Sequence, residues 1–599
     1  MKEQKVNSLN NSWHPPQRSI NPDYQLWIQI NEQNDLFPHI LKEELESPLF
    51  TIVTPVKDPA LSIIHATIQS VLAQSYQRWE WILADASVPG SPVSALLEKY
   101  SRHDPRIKII RLEKNHGIAE NTNIALKNAS GEWVGFLDHD DLLAPIALAE
   151  MVSKITEDPK IDLLYSDEDF IYEDGSNRRN PHFKPDFCPD FLLSLNYITH
   201  FLVVRRSLGE SIDWIRPGFD GAQDYDLILR AVEKTRKVTH IPKILYHWRE
   251  ARTSTARDIT VKPYADEAGK HALADALVRR GLAADVQSGP IPTSYRVSYH
   301  IEGQPFVSIL IPNQEQPETL RRCIHSIQTL STYANYEIIV IENGSSSPEI
   351  FHLYKELQEK SIKVLHWDAD FNYASVNNFA VQRARGEFVL FLNNDTEIIT
   401  KDWIEQLLMH AQRKDVGAVG AKLYYPDHTL QHAGVVVGMG GVAGHLYLGE
   451  LSTSMGYFGR LQVIQNYSAV TGACLMVQKK KFEEAGGFDE RFQFAYNDVD
   501  FCLRLLEKDY RNVWTPYAEL FHHESLTRGA EDSNSEKHLR FCREARLFIT
   551  RWKNFIQKHD PCFNPNLSYD TSEIRVNPLG KIDILDYFID RPWNHFREK

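Results

Sequence analysis

The sequence predicts an α/β protein built from two tandem domains, each with a mostly parallel sheet. The first observation is an internal repeat: residues 131–140, an apolar run that ends in acidic side chains, recur as residues 386–395. The second is an alternation of strand-like and helix-like apolar patterns in both halves, which is typical of βαβ units with right-handed crossovers. A repeat this long indicates duplicated domains, because solenoid repeats run to only about 20–50 residues.

Five segments alternate between the two patterns in the first half. Apolar runs predict strands at 49–54, 79–84 and 107–112, and apolar residues at helical spacing predict helices at 61–72 and 92–100. The second half repeats this order, with strands at 307–311, 337–341 and 363–365 and helices at 320–330 and 349–359.

The expected domain limits follow from the same patterns. A Gly-Pro-Ile-Pro stretch at 289–292 suits a chain that leaves one domain for another. We expect an N-terminal extension with room for one helix (1–47), a first domain (48–290), a linker (291–305), a second domain (306–556) and an irregular C-terminal tail with room for a short helix (557–599).

Composition narrows the class of protein. With 599 residues, of which 42% are hydrophobic and 24% charged, the chain is typical of a folded globular protein. Its net charge of −14 argues against a nucleic-acid partner, which would favour a basic face. Six cysteines without a CxxC pair are typical of reduced thiols, so we expect a cytoplasmic protein.

Membrane insertion is not expected. Residues 1–38 lack the apolar stretch of a signal peptide, and no run approaches the ~20 apolar residues that span a bilayer. Residues 582–596 mix large apolar side chains with charges, which leaves two alternatives: a tail packed on the last domain, or a peripheral contact with the inner face of a membrane.

Acidic side chains follow the central apolar run of the first repeat. Asp138, Asp140 and Asp141 lie at the carboxyl end of a predicted strand, where open α/β sheets bind ligands. A divalent cation would relieve their repulsion, and oxygen ligands favour Mg²⁺ or Mn²⁺. The alternative is a helix N-cap. The recurrence at 393–395 (Asn-Asn-Asp) favours metal or diphosphate binding, although Asp395 is the single carboxylate of that motif.

Two further aspartates, Asp224 and Asp498, stand at predicted helix starts in matching places of the two repeats. Each is followed by a second Asp and, on the next turn, by an Arg. Helix capping is one explanation of an aspartate there. The matching loops that precede both helices favour a general base, with Asp226 and Asp500 as structural or substrate-orienting residues.

Two histidines recur as well. His247 follows Asp224 at nearly the distance at which His522 follows Asp498. A lone histidine is often a hydrogen-bonded core residue, but the recurrence favours a role at a diphosphate or metal. His523 is an equally placed alternative in the second repeat.

Together these residues resemble a tandem pair of family 2 glycosyltransferases with the GT-A fold, over roughly residues 49–285 and 306–550. Four short motifs resemble the bacterial branch that makes O-antigens and cell-surface polysaccharides, at 165–169, 183–186, 431–434 and 471–474. Structural loops are an equally good explanation of each motif alone.

The resemblance implies roles for the paired positions. Asp138 and Asp140 match the D-x-D motif that holds the metal, with Asp395 in the corresponding place and His247 or His522 assisting. Asp85 would contact the nucleobase, as would Glu342 or Asn343 in the second repeat. The residues implied to contact the nucleotide sugar are Pro55, Asp85, Asn123, Asp138, Pro312, Glu342, Asn343, Asn378 and Asn394.

The implied reaction is an inverting sugar transfer. Asp224 or Asp498 would take a proton from the acceptor hydroxyl, while Mg²⁺ or Mn²⁺ neutralises the departing diphosphate. The implied donor is a UDP or dTDP sugar, and the implied acceptor is a glycan or a lipid-linked saccharide.

Three hypotheses differ in how the two halves are used. The first has two active sites, and the second has one catalytic domain beside a sugar-binding or scaffolding domain, for which Asn393 would be the mark of a lost site. The third, a sugar-phosphate nucleotidyltransferase, is disfavoured because residues 54–58 do not form a Gly-rich basic phosphate loop.

Overall fold

The computed structural model describes residues 21–32, 47–250, 263–523 and 535–579. Helices and strands alternate, and the strands form one large sheet of nine strands in the first half of the chain and one of ten in the second. The predicted α/β class and the duplication are confirmed. Across the described ranges, no helix is at once long enough and apolar enough to cross a membrane.

The first half begins with a helix and then forms its sheet. The strands are β1 (Phe50–Val56), β2 (Trp79–Asp85), β3 (Ile107–Arg111), β4 (Trp133–Phe136), β5 (Leu142–Leu143), β6 (Leu163–Ile171), β7 (Arg179–His182), β8 (Val203–Arg205) and β9 (Val238–Arg249). The helices are α1 (Pro22–Asn31), α2 (Leu61–Leu72), α3 (Pro92–His103), α4 (Ile118–Leu126), α5 (Ala147–Glu157), α6 (Pro189–Ser194), α7 (Arg206–Ser211), α8 (Gln223–Lys234) and α9 (Pro263–Arg279).

Two short strands follow, and then the second half. Its strands, after β10 (Ala284–Ser288) and β11 (Tyr295–Tyr299), are β12 (Val307–Asn313), β13 (Tyr336–Glu342), β14 (Lys363–His366), β15 (Phe388–Leu392), β16 (Thr396–Ile398), β17 (Val416–Tyr424), β18 (Leu430–His432), β19 (Val435–Val437), β20 (Ala443–His445), β21 (Gln465–Tyr467), β22 (Cys474–Gln478) and β23 (Arg511–His522). The helices are α10 (Pro317–Leu330), α11 (Pro348–Glu359), α12 (Tyr373–Val381), α13 (Trp403–Ala411), α14 (Lys479–Glu484), α15 (Asn497–Leu506) and α16 (Ser535–Lys558), with 3₁₀ turns at Met439–Gly441 and Tyr457–Gln462.

The two large sheets share one strand order. The first runs β3-β2-β1-β4-β8-β6-β9-β5, with β7 beside β6, and the second runs β14-β13-β12-β15-β22-β17-β23-β16, with β18 beside β17 and β21 beside β23. The longest pairings are parallel, β1 with β2 and β6 with β9 in the first sheet. Strands β8 and β22 run antiparallel to their neighbours. The carboxyl ends of the parallel strands therefore meet at one edge of each sheet, where the candidate residues lie.

The helices bury one face because their apolar residues recur at helical spacing. In α2, Ile64, Ile68 and Val71 lie about a turn apart and are buried in the cluster that also contains Trp81 and Trp133 of the sheet. Removing such side chains from water is the main favourable contribution to folding. The sheet is thereby held as a rigid base for the loops at its edge.

The segment between the two sheets is ordered. Strands β10 and β11 pair antiparallel, with Ala284 opposite Tyr299. The stretch predicted as a linker (291–305) therefore contains β11. Next to β11, Asp190 of α6 accepts hydrogen bonds from Arg413 (2.5 Å), Arg511 (2.7 Å) and Asn466 (2.8 Å). Because these three partners belong to the second half, a buried ion cluster joins the two halves.

Residues 559–579 lie across both halves without forming a helix or a named strand. Asn564 donates to the Asp167 carboxylate (2.9 Å) in the first half, and Asp560 accepts from the backbone N–H of Val437 (2.7 Å) in the second. Helix α1 joins this segment, since its Trp27 indole donates to Asn566 (3.2 Å). The predicted membrane contact at 582–596 lies outside the described residues.

Candidate functional site

The acidic loop of the first half leaves β4 and enters β5 at the edge of the sheet. The backbone N–H of Asp138 donates to the Tyr246 hydroxyl (3.3 Å), which itself donates to Asp141 Oδ2 (2.6 Å). The backbone N–H of Arg249 donates to Asp141 Oδ1 (2.7 Å). Tyr246 and Arg249 both belong to β9, so this strand holds the acidic loop in place.

Asp138, Asp141 and His200 form a compact group. One ligand atom from each side chain lies within 4.8 Å of the others. Burial raises the pKa of both carboxyls, which is the expected cost of placing carboxylates together in a desolvated cleft. Two carboxylates and an imidazole are a donor set that suits Mn²⁺ or Mg²⁺.

His200 is held by a buried carboxylate behind it. Burial alone would lower the pKa of His200, but its hydrogen bond to Glu168 (3.0 Å) and the Glu168 charge raise that pKa to about 9. Burial also opposes ionisation of Glu168, yet the nearby Lys184 ammonium and two histidines outweigh it and hold the pKa of that carboxyl well below its usual range. His200 is thus positioned by Glu168, and a cation that binds this ring would displace a ring proton.

Asp224 begins α8 and faces the same cleft. Its Oδ2 accepts from Asn196 (2.9 Å), and burial raises its pKa, which the charge of His200 partly opposes. The negative charge of Asp224 also contributes to the raised pKa of Asp138. The structure therefore brings the predicted base and the predicted acidic loop together.

His247 lies on the other face of β9 from the residues that contact His200. Tyr246 and Trp248, which flank it, both pack against the His200 ring, whereas His247 Nδ1 lies 2.5 Å from Asp169 Oδ1. A metal-binding histidine typically donates its other ring N–H to a carboxylate in this way. The structure does not join His247 to the Asp138 group, and its predicted metal role stays a prediction.

The other predicted positions of the first half have specific contacts. The carbonyl of Pro55 lies 3.1 Å from His139 Nδ1. Asp85, at the end of β2, accepts hydrogen bonds from Ser87 and Ser94; burial would raise its pKa, but these bonds lower it. Both ends of the Asn123 amide bond the backbone of Ile215, at 2.6 and 3.2 Å, so this side chain fixes a loop.

The acidic loop of the second half is closed by a histidine from β23. His522 Nε2 lies 3.2 Å from Asp395 Oδ1 and 3.2 Å from the Asn393 side-chain nitrogen. Thr396 is the residue opposite His522 across β16 and β23. Asp395, His522 and an amide oxygen from Asn393 form a donor set that also fits a divalent cation, with one carboxylate where the first half has two.

Asp498 begins α15 beside this loop. Its Oδ2 accepts from the backbone N–H of Gly472 (2.7 Å), and the next residue, Ala473, accepts through its carbonyl from the N–H of Asn393 (3.0 Å). One short stretch of backbone therefore separates the predicted base from the acidic loop. An aspartate at a helix start therefore lies beside the acidic loop in both halves, but the histidine at that loop comes from ahead of β8 in the first half and from β23 in the second.

The nucleotide-side positions of the second half also lie at this edge. Glu342 stands opposite Asn313 across β13 and β12, as Asp85 stands opposite Val56, so Glu342 rather than Asn343 occupies the place of Asp85. The remaining predicted residues contact neighbouring backbone or amide groups, namely Pro312 on β12, Asn343 bonded to Trp367 and Ala369, Asn378 bonded to Phe488, and Asn394 bonded to Asn313.

Two residues of the first cleft, His200 and Glu168, were missed by the sequence reasoning. Neither residue lies in a motif that recurs in both halves. At the position of Glu168, strand pairing places Leu423 in the second half. The available signal was the acidic run at 165–169, which we connected with a family motif and not with a histidine.

A model of the family described as glycosyl transferase family 2 matches residues 51–212 and 308–486, more than half of the chain in two separate segments. An O-antigen biosynthesis protein of Myxococcus xanthus, RfbC, is 37% identical over 575 residues, which cover 95% of this chain and 44% of that protein. An uncharacterized protein of Sinorhizobium fredii is 43% identical over 532 residues, which cover 88% of this chain and 58% of that protein.

The chain thus spans about half the length of these relatives. Among solved structures, S. aureus TarS 1-349 in complex with UDP-GlcNAc overlaps 38% of this chain and 66% of that chain, at 19% identity and a TM-score of 0.32.

Proposed function

This chain belongs to glycosyl transferase family 2, and we propose that it transfers sugars from nucleoside diphosphate sugars to a growing saccharide, with one active site in each half. The observation that carries the proposal is the repeated cleft. In both halves an aspartate at a helix start, Asp224 or Asp498, lies beside a loop of carboxylate and imidazole ligands. The domain limits proposed are those expected from the sequence.

The proposed base of the first site is Asp224. Its raised pKa, caused by burial, makes the carboxylate a better proton acceptor than an exposed aspartate. Asp498 is the proposed base of the second site, where it lies beside the acidic loop. A single in-line attack by the deprotonated hydroxyl inverts the anomeric carbon.

The proposed cation sites are Asp138, Asp140 and Asp141 with His200 in the first half, and Asp395 with His522 in the second. A bound Mg²⁺ or Mn²⁺ would neutralise charge on the departing diphosphate. His247, backed by Asp169, is a further proposed ligand. The chain itself supplies the ligands and holds their orientation; Asp141, Asp395 and His522 are buried.

The proposed donors are UDP or dTDP sugars, and the proposed acceptor is a glycan or a lipid-linked saccharide at the cytoplasmic face of the membrane. The similarity to an O-antigen biosynthesis protein supports a surface polysaccharide as the product. Asp85 and Glu342, at equivalent strand ends, are proposed to contact the nucleobase.

A second candidate keeps one catalytic half and makes the other a sugar-binding or scaffolding domain. It is favoured by the amide Asn393 in the second acidic loop, where the first half has Asp138. The two candidates differ in whether Asp498 is required for any sugar transfer.

The test compares Asp224→Asn and Asp498→Asn in the full chain. With a panel of UDP and dTDP sugars and Mg²⁺ or Mn²⁺, nucleoside diphosphate release and product mass are measured. Each variant should slow one of two additions by about 10²–10⁴-fold, the usual contribution of a general base. Asp285→Asn, at a side chain that is 72% exposed, is the control.

Full activity of Asp224→Asn for both additions would reject that base. Loss of one addition in Asp224→Asn with no effect of Asp498→Asn on any transfer would support the single-site candidate instead.

A further inference from the structure

A loop of the second half reaches the first half beside its cleft. The hydroxyl of Tyr457 accepts from the backbone N–H of Phe183 (2.9 Å) and donates to the carbonyl of Pro181. These two backbone groups flank His182, the last residue of β7. The Tyr457 side chain of the second half thus holds the end of β7 in the first half.

The adjacent residue completes this contact. The Phe458 ring stacks on the His182 ring with centroids 4.1 Å apart and planes 21° apart. His182 is buried, and its Nδ1 lies 3.2 Å from Glu168 Oε1. Two contacts therefore fix the position of the His182 ring: Phe458 stacks on its face, and Glu168 lies within hydrogen-bond distance of its Nδ1.

Glu168 connects His182 to the cleft. It is buried on β6, and it binds Thr199 (2.9 Å) and His200 Nδ1 (3.0 Å) in addition to His182. His200 belongs to the compact group with Asp138. Three consecutive contacts, each through a buried or half-buried side chain, thus lead from Phe458 to the proposed cation site.

We propose that Tyr457 and Phe458 are positioning residues for the first active site, so that the second half completes the site of the first. This inference rests on the proposed function of that site. The link is specific to the first half, because the strand pairing places His432 opposite Leu423, an apolar side chain, where His182 stands opposite Glu168. Supporting residues of this kind typically change metal affinity or activity by about 10–100-fold when removed.

The test uses Phe458→Ala and Tyr457→Phe in the full chain. In an Asp395→Asn background, which weakens the second cation site, Mn²⁺ binding is followed by electron paramagnetic resonance. Both variants should weaken the remaining Mn²⁺ site by about tenfold or more, and Phe458→Tyr, which keeps the ring, should restore it. The matched controls are Phe351→Ala, whose ring packs on Tyr354, and Tyr517→Phe, which loses a hydroxyl elsewhere in the second half.

Sugar transfer gives a second readout. In the Asp498→Asn background, Phe458→Ala should lower kcat of the first addition, and in the Asp224→Asn background it should leave the second addition unchanged. Equal losses in both additions, or unchanged Mn²⁺ binding, would overturn the positioning role. A different outcome separates the two proposals. If Mn²⁺ binding is weaker in Phe458→Ala but the wild-type chain transfers no sugar, the proposed function is rejected, whereas the positioning role at the cation site stands.

Discussion

At the scale of single residues, one buried carboxylate joins three strands of the first sheet. Glu80 of β2 accepts from Thr51 of β1 (2.7 Å), from the backbone N–H of Ser130 ahead of β4 (2.6 Å) and from Lys108 of β3 (2.6 Å). Burial alone would raise the pKa of Glu80, but these bonds lower it to about 2. Glu337 has the corresponding place in the second sheet, where it accepts from Ser308 (2.7 Å).

We therefore expect Glu80→Gln to destabilise the chain by about 1–3 kcal/mol at neutral pH, since its donors lose an ionised acceptor. A lowered pKa stabilises the fold above the ordinary value of 4.5, and that contribution is lost as the pH falls toward about 2. The difference between wild type and variant, measured from urea midpoints, should shrink over that window. Glu98→Gln, at a side chain that is 58% exposed, is the control. A difference independent of pH would contradict this account.

At the scale of elements, the first turn of α8 holds two aspartates with opposite energetic roles. Asp226 is buried and accepts from Arg230 (2.8 Å) and Arg216 (3.1 Å). Asp224, two residues earlier, has a pKa raised by burial, so its ionised form is disfavoured in the folded chain. Asp226 therefore stabilises the fold, whereas ionised Asp224 destabilises it at neutral pH.

Asp226→Asn should therefore destabilise the chain by about 3–5 kcal/mol, because the buried Arg230 loses its counter-charge and the half-buried Arg216 loses one of its two acidic partners. Asp224→Asn should raise the unfolding midpoint at neutral pH. The sign follows from linkage: a raised carboxyl pKa costs stability above it, and that cost disappears as the pH falls toward the ordinary value of 3.8. Thermal unfolding at several pH values checks both. A destabilised Asp224→Asn would show that its carboxylate is structural.

The α/β class and most limits of β1, β2, β3 and their counterparts were predictable, because these strands are continuous apolar runs between turn signals. The positions of His247 and His522 relative to the acidic loops were not predictable from the sequence. His247 stands opposite Leu142 on β5, but His522 stands opposite Thr396 on β16, which is one residue nearer the acidic loop. A shift of one residue turns a side chain to the other face of a strand, and register depends on pairing between distant segments.

At the scale of the whole molecule, the two halves are joined by buried charges. Asp190 of the first half is surrounded by Arg413 and Arg511 of the second, and burial is outweighed by these two charges, which hold the pKa of Asp190 far below its usual range. Such a cluster is costly to break, because each charge left alone is buried without a counter-ion. The two halves should therefore unfold together.

Arg413→Met should weaken this coupling. We expect a loss of about 3–5 kcal/mol and the replacement of one heat-absorption peak by two, as the halves begin to unfold separately. Differential scanning calorimetry measures both effects. Arg102→Gln, at a side chain that is 78% exposed, should leave the trace unchanged. A single unaltered peak in Arg413→Met would show that contacts other than this ion cluster couple the halves.

The contact between Asn564 and Asp167 also bears on how the newly made chain matures on the ribosome. The two partners are 397 residues apart, so at about 5–20 residues per second the amide emerges roughly 20–80 seconds after the carboxylate. Until translation reaches that point, the nascent first half carries an acid in its interior that lacks its final donor. Maturation of the first half is in this way tied to synthesis of the segment that contains Asn564.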